Sequence, residues 1–171
     1  MKSVLFVCTG NTCRSPMAEA LLRRRLKELR IEGVAVGSAG LAALPGDPAT
    51  PEAVEVLGEL GLDHSGHRSR PLTPDLLREA DLVLTMENRH KQAILQHLPE
   101  ITDKVYTLKE FAGLAGQGDV EDPLKYLYDA RHDPVEGYRR TRDELARAVE
   151  AMLPRLLEFL GLRPQGMEGG E

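Results

Sequence analysis

The hydrophobic positions of this chain alternate between short apolar runs and stretches of helical period. Residues 3–7 are apolar after Ser3 and lack the in-and-out alternation of a half-exposed strand. Such a run predicts a strand buried on both faces of a parallel sheet. Apolar residues at 17, 18, 21, 22 and 26 then make one stripe, predicting a helix that ends near Arg30. Ser15 suits its N-cap, Pro16 its first helical position, and Glu19 lies near the place of a capping-box partner. Further strands are predicted at residues 33–37, running on into 38–40, at 81–86 and at 105–108. Helical patterns fill 50–60, closed by Gly61, then 73–80 and 87–98. Residues 40–49 and 63–71 read as irregular connectors, the second carrying His64, His67, Arg68 and Arg70.

From 113 to 133 the pattern dissolves into Gly, Asp, Pro and Tyr, predicting a long surface loop of the kind that is usually functional. The last helix starts near Val135 and runs toward Phe159, and Pro154 is expected to kink or divide it. Strands alternating with helices predict an α/β fold, a parallel sheet with helices on both faces. Without internal repeats or low-complexity segments, residues 1–161 read as a single domain and 162–171 as a flexible tail.

Composition narrows the function classes. The 171 residues are 42% hydrophobic and 29% charged, with no apolar stretch near the length of a membrane span. The apolar run after Met1 and Lys2 is too short for a signal peptide, so a cytoplasmic protein with no membrane partner is expected. A net charge of −5 argues against nucleic-acid binding by general electrostatic attraction. The basic run Arg23-Arg24-Arg25-Leu26-Lys27 has Glu19, Glu28 and Glu32 nearby and reads as a solvated helix face. Both cysteines, Cys8 and Cys13, lie in one loop, which suits neither a structural staple nor a common zinc spacing.

That loop carries the candidate chemistry. In Cys8-Thr9-Gly10-Asn11-Thr12-Cys13-Arg14-Ser15-Pro16 a cysteine ends a strand and an arginine opens a helix. Unpaired amides in such a turn, with the positive end of the helix dipole, make an anion site. Gly10 permits a tight backbone turn. Arg14 offers a planar fork for two phosphate oxygens. The same field favours the thiolate form of Cys8, to which Ser15 can donate a hydrogen bond. A thiolate beside a bound phosphoryl group can attack phosphorus in line and form a phospho-cysteine. Loop amides and Arg14 would stabilise the charge on the equatorial oxygens. The leaving atom then needs a general acid, and an aspartic acid on a mobile loop would serve. A bare cysteine and arginine at this spacing is a weak signal; the buried strand before it and the Ser-Pro helix start after it give it weight.

These residues, with Met17-Ala18-Glu19-Ala20 after them, resemble the signature of the low-molecular-weight protein-tyrosine-phosphatase family. The resemblance continues through Ser38-Ala39-Gly40, His67-Arg68-Ser69-Arg70, residues 81–86 and residues 138–145, covering roughly 3–160. It implies a four-stranded parallel sheet, no metal and no cofactor. It implies a phosphorylated protein or peptide as substrate, phosphotyrosine or a small aryl phosphate at the site, and inorganic phosphate as product and inhibitor. Cys8 would be the nucleophile and Arg14 the clamp. Thr9, Gly10, Asn11, Thr12, Cys13, Arg14 and Ser15 would line the phosphate, and Asn11, Ser38 and His67 would belong to a supporting network. Thr12 resembles the protein-arginine-phosphatase branch, where tyrosine-directed members more often carry an apolar residue, so phosphoarginine stays open as the alternative substrate.

Two Asp-Pro pairs compete for the general acid. Residues 118–123 resemble the approach to the catalytic Asp-Pro of bacterial members, favouring Asp122, whereas Asp133-Pro134 is a good helix start. Leu124 stands where the family often has an aromatic beside the substrate, with Tyr126 and Tyr128 as substitutes, and residues 124–134 look like an insertion. Thiol-coupled arsenate reduction on the same fold would need cysteines after Cys13, and none follow. A non-catalytic oxyanion-binding module would need neither the nucleophile nor the Asp-Pro loop.

Overall fold

A computed structural model of the protein describes residues 1–164; part of the tail expected at 162–171 lies outside the described residues. Four strands, β1 (Lys2–Cys8), β2 (Val34–Gly40), β3 (Leu82–Thr85) and β4 (Val105–Thr107), form one parallel sheet in the order β2-β1-β3-β4. Helices α1 (Arg14–Glu28), α2 (Pro51–Gly58), α3 (Pro74–Glu79), α4 (Asn88–His97), α5 (Leu108–Phe111) and α6 (Pro134–Leu160) complete the fold, with 3-10 turns at Pro99–Lys104, Ala115–Gln117 and Pro123–Leu127.

The apolar run of β1 explains its central place. Val4, Phe6 and Cys8 face a core shared with Met17, Leu21 and Leu22 of α1 and Leu145, Val149 and Met152 of α6. Leu5 and Val7 face a second core with Val83, Val105, Leu77 of α3 and Ile94 of α4. Each large side chain fully buried this way contributes roughly 1.5–3 kcal/mol, so both faces hold the sheet. The chain leaves β1 for β2 on one side and returns to β3 on the other. The carboxyl ends of β1 and β3 therefore flank the crevice where such folds bind ligands.

Four local expectations are corrected. α1 begins at Arg14, with Cys13 at the N-cap and no side chain capping it. Ser15 lies inside the helix, its hydroxyl taken by Cys8 and Asn11. Leu108 does not extend β4; the Thr107 hydroxyl accepts the Glu110 amide at 3.1 Å and starts α5 instead. The 113–133 segment contains two 3-10 turns rather than being wholly irregular. Finally, Pro154 does not divide α6, which runs as one helix from Pro134 to Leu160. Pro154 and Glu150, whose carbonyl loses its donor, are both exposed, so water can satisfy the freed group.

Candidate active site

The loop between β1 and α1 has its carbonyls turned outward and held there. Leu41 N donates to Cys8 O at 3.0 Å, Ala42 N to Thr9 O at 2.9 Å, Thr50 N to Thr12 O at 2.8 Å and Met17 N to Cys13 O at 3.0 Å. His67 Nε2 holds the carbonyl of Asn11 at 2.7 Å. In a trans peptide the N–H points opposite to the carbonyl, so the amides that follow turn into the concavity. Packing leaves no slack around it. A Cβ on Gly40 would meet Thr9 O at 2.5 Å and Asn11 N at 2.9 Å, so only glycine lets the end of β2 approach the loop this closely.

Asn11 organises the interior. It is fully buried with φ of 55°, a left-handed conformation that asparagine tolerates better than most residues. Its Nδ2 donates to Ser15 Oγ and to Ser38 Oγ, both at 2.9 Å, and its Oδ1 accepts the Arg70 amide at 3.0 Å. Ser15 Oγ accepts from Asn11 and can donate its own hydrogen to Cys8 Sγ, 2.9 Å away. The Asn11 amide lies 3.3 Å from the same sulfur. Cys8 thus sits at the floor of the loop facing two donors, next to the N-terminus of α1. Cys13 is also buried and free. Burial pushes its thiol well above the usual range, with Cys8 and Asp122 adding to the effect.

Arg14 is 1% exposed. Its NH1 donates to Glu87 Oε2 at 2.6 Å and to the Val120 carbonyl at 2.8 Å, and its NH2 approaches Asp122 Oδ2 at 3.4 Å. Burial raises the Glu87 carboxyl, but hydrogen bonds from Arg89 and Arg14 outweigh it and hold the group below its ordinary value. The other Asp122 oxygen accepts the Leu124 amide at 3.0 Å, capping the 3-10 turn that Pro123 starts. Asp133 is placed differently: exposed, it accepts the Val135 amide at 3.0 Å and caps α6.

His90 closes the opposite wall. Its Nδ1 accepts the Glu87 amide at 3.1 Å, so the neutral ring carries its proton on Nε2 and donates to Thr9 Oγ1 at 2.9 Å. Burial, seconded by the positive charge of Arg14, pushes its pKa down to about 4. Arg89 NH2 also reaches Thr9 Oγ1, at 2.9 Å. Glu87, Arg89, His90 and Val120 were not among the residues singled out from the sequence. A glutamate and a histidine three apart directly after an apolar strand are the signal that could have drawn attention to them.

The three residues expected at the substrate rim differ in their surroundings. Leu124 and Tyr128 are exposed, the latter at 88%. The Tyr126 ring instead packs on Gly137 of α6, where a Cβ would lie 2.1 Å from it, and stands edge-on to His132 with centroids 5.5 Å apart. Among the described residues no helix is long and apolar enough to cross a membrane.

The family model for low molecular weight phosphotyrosine protein phosphatase matches residues 3–160. A protein-arginine-phosphatase of Bacillus subtilis is 44% identical over 90% of this chain and 95% of its own length. A probable low molecular weight protein-tyrosine-phosphatase, EpsP, of Ralstonia nicotianae is 42% identical over 91% of this chain and 97% of its own. The crystal structure of a low molecular weight protein tyrosine phosphatase from T. tengcongensis superposes with a TM-score of 0.80 at 44% identity, covering 91% of this chain and 99% of that one. A match over nearly the whole chain, joined to a loop built around Cys8 and Arg14, leads to one conclusion: the chain belongs to the low molecular weight phosphotyrosine protein phosphatase family.

Proposed function

We propose that the chain hydrolyses phosphorylated proteins through a phospho-cysteine on Cys8, with Arg14 as phosphate clamp and Asp122 as general acid and base. One observation carries this reading: the Cys8 sulfur faces the Ser15 hydroxyl and the Asn11 amide within a loop whose carbonyls are drawn outward. Bound there, the phosphoryl oxygens are met by the amides of residues 9–15 and by Arg14. NH1 of Arg14 is held by Glu87 and Val120, leaving Nε, and NH2 once it parts from Asp122, for the phosphoryl group. The S–P bond forms as the bond to the leaving atom breaks, and Asp122 delivers its proton to that atom. Asp122, now a carboxylate, takes a proton from water; the water oxygen bonds phosphorus, the S–P bond breaks, and inorganic phosphate leaves with Cys8 again a thiolate. Ser15, Ser38 and His67 serve through Asn11 and the sulfur they position.

No step draws on a metal, a nucleic acid or a membrane. The free thiols suit the reducing cytoplasm, and residues 1–161 are read as one domain. Phosphotyrosine is the first substrate reading. Phosphoarginine is the second, favoured by Thr12, which is half-buried with Oγ1 3.7 Å from the place of a Cβ on Gly10, and by the similarity to the Bacillus subtilis protein-arginine-phosphatase.

The test compares turnover of phosphotyrosine and phosphoarginine peptides by wild type, Thr12→Ile, Asp122→Ala and Asp133→Ala. Asp122→Ala should slow turnover by about 10²–10⁴-fold, the range for a lost general acid, while Asp133→Ala stays near wild type. The reverse order would refute the assignment of the acid. A preference for phosphoarginine that Thr12→Ile turns toward phosphotyrosine would select the second substrate reading.

A further inference from the structure

On the outer side of the loop, Glu19 of α1 meets His64 and His67 from the connector between α2 and α3. Each offers one ligand atom, and these atoms lie within 4.8 Å of one another. The Glu19 and His64 side chains are only 8% and 11% exposed. His64 Nε2 is sealed from solvent and makes no hydrogen bond, although Glu19 Oε2 is 3.1 Å away. The two atoms sit side by side instead of in line as donor and acceptor. That spacing is close to an edge of a zinc coordination tetrahedron, about 3.3 Å for bonds of 2.0–2.1 Å.

His67 supplies an independent sign. Its Nε2–H is spent on the Asn11 carbonyl, which leaves the lone pair on Nδ1. A metal-bound imidazole characteristically donates its other N–H to a carbonyl or carboxylate, which fixes ring and tautomer. The stacked histidine rings, with centroids 5.2 Å apart, bring both imidazoles to the same carboxylate. Arg23 approaches only the other oxygen of Glu19, at 3.4 Å, leaving Oε2 for a cation.

We propose that Glu19, His64 and His67 form a zinc(II) site of one carboxylate and two imidazoles, with water in the fourth position. Ligand chemistry favours zinc, since imidazole and carboxylate in a four-coordinate set suit it and no thiolate is involved. The bound ion would tie α1 to the connector and hold the tautomer of His67 that restrains Asn11, so occupancy would stiffen the catalytic loop from behind. The site stands apart from the hydrolytic reading, in which no metal acts.

The experiment uses the full chain carrying Cys8→Ser, so that zinc cannot collect on that thiolate. Calorimetric titration with zinc chloride should show one equivalent bound. Cobalt(II) should give visible bands of a tetrahedral nitrogen and oxygen site without thiolate charge transfer. The melting temperature should rise by about 5–10 °C at a hundredfold excess of metal over its Kd. Adding either His64→Gln or Glu19→Gln should weaken binding at least tenfold and remove the thermal shift. The metal-free melting temperature of each variant reports whether it is folded. Absence of stoichiometric binding, binding unchanged in both folded variants, or a thiolate band reporting Cys13 would overturn the site. Since each readout is of metal binding, such a failure leaves the hydrolytic reading standing.

Discussion

His90 makes the site sensitive to acid in a calculable way. Its ring is fully buried, its Nδ1 accepts the Glu87 amide, and the Arg14 guanidinium adds to the burial that holds its pKa at about 4. In the unfolded chain the same ring protonates near 6.5. Between these values the unfolded state binds a proton that the folded state refuses. The stability contributed by neutral His90 is therefore complete well above pH 6.5 and is lost progressively as pH falls from there to about 4. The full loss is worth about 3 kcal/mol. Protonation also places an Nδ1–H against the Glu87 N–H, so the bond that sets the start of α4 becomes a repulsion. The assay is urea unfolding of wild type and His90→Gln from pH 7.5 to 4.5, reading the difference between them. Taking the difference cancels other groups that titrate in this range, among them His67, whose pKa is also lowered. Wild type should lose about 2–3 kcal/mol relative to His90→Gln over that interval, with the urea dependence unchanged. A difference constant to within about 0.5 kcal/mol would refute both the neutral state assigned to His90 and its coupling to Glu87.

Two glycine substitutions probe the packing behind and beside the site. Gly40→Ala forces a methyl group to within 2.5 Å of Thr9 O and 2.9 Å of Asn11 N; it should cost about 1–3 kcal/mol in thermal or urea unfolding and depress turnover, whereas Gly58→Ala, with open space around it, should be neutral or mildly stabilising. Gly137→Ala places a Cβ 2.1 Å from the Tyr126 ring; it should expel that ring, increase proteolytic cleavage within 123–127 and lower turnover through Asp122, with little change in the unfolding midpoint because alanine favours the helix. Cleavage unchanged from wild type would mean that Tyr126 does not anchor the turn.

What could be read from the sequence was set by local chemistry. The all-apolar run of β1 can be satisfied only by burial on both sides, so its central place in a parallel sheet was foreseeable. Thr73 before Pro74 announced α3, where the Thr73 hydroxyl does accept the Leu76 amide at 3.2 Å. Ser15 misled because its chemistry fits two jobs. A serine before a proline is a good cap, yet here a buried sulfur 2.9 Å away and the Asn11 amide group claim the hydroxyl first. The end of β4 misled for a similar reason: apolar Leu108 suits a strand, but Thr107 is free to cap, and the cap starts a helix one residue early.

The partners of Arg14 were hidden for a different reason. Glu87 and the Val120 carbonyl are 73 and 106 residues away along the chain, and no local pattern marks a backbone carbonyl as a ligand. Topology supplies the connection. β1 and β3 are neighbours in the sheet, with Val7 opposite Thr85, so whatever follows Thr85 must emerge beside whatever follows Val7. Glu87 follows at that point, and Val120 N is bound to Met86 O at 2.9 Å, which carries the Asp122 loop to the same edge. The arginine, its carboxylate brace and the aspartate therefore converge because two strands pair in register. A substitution that shifted β3 by one residue would separate all three at once while leaving every residue of the Cys8 loop in place.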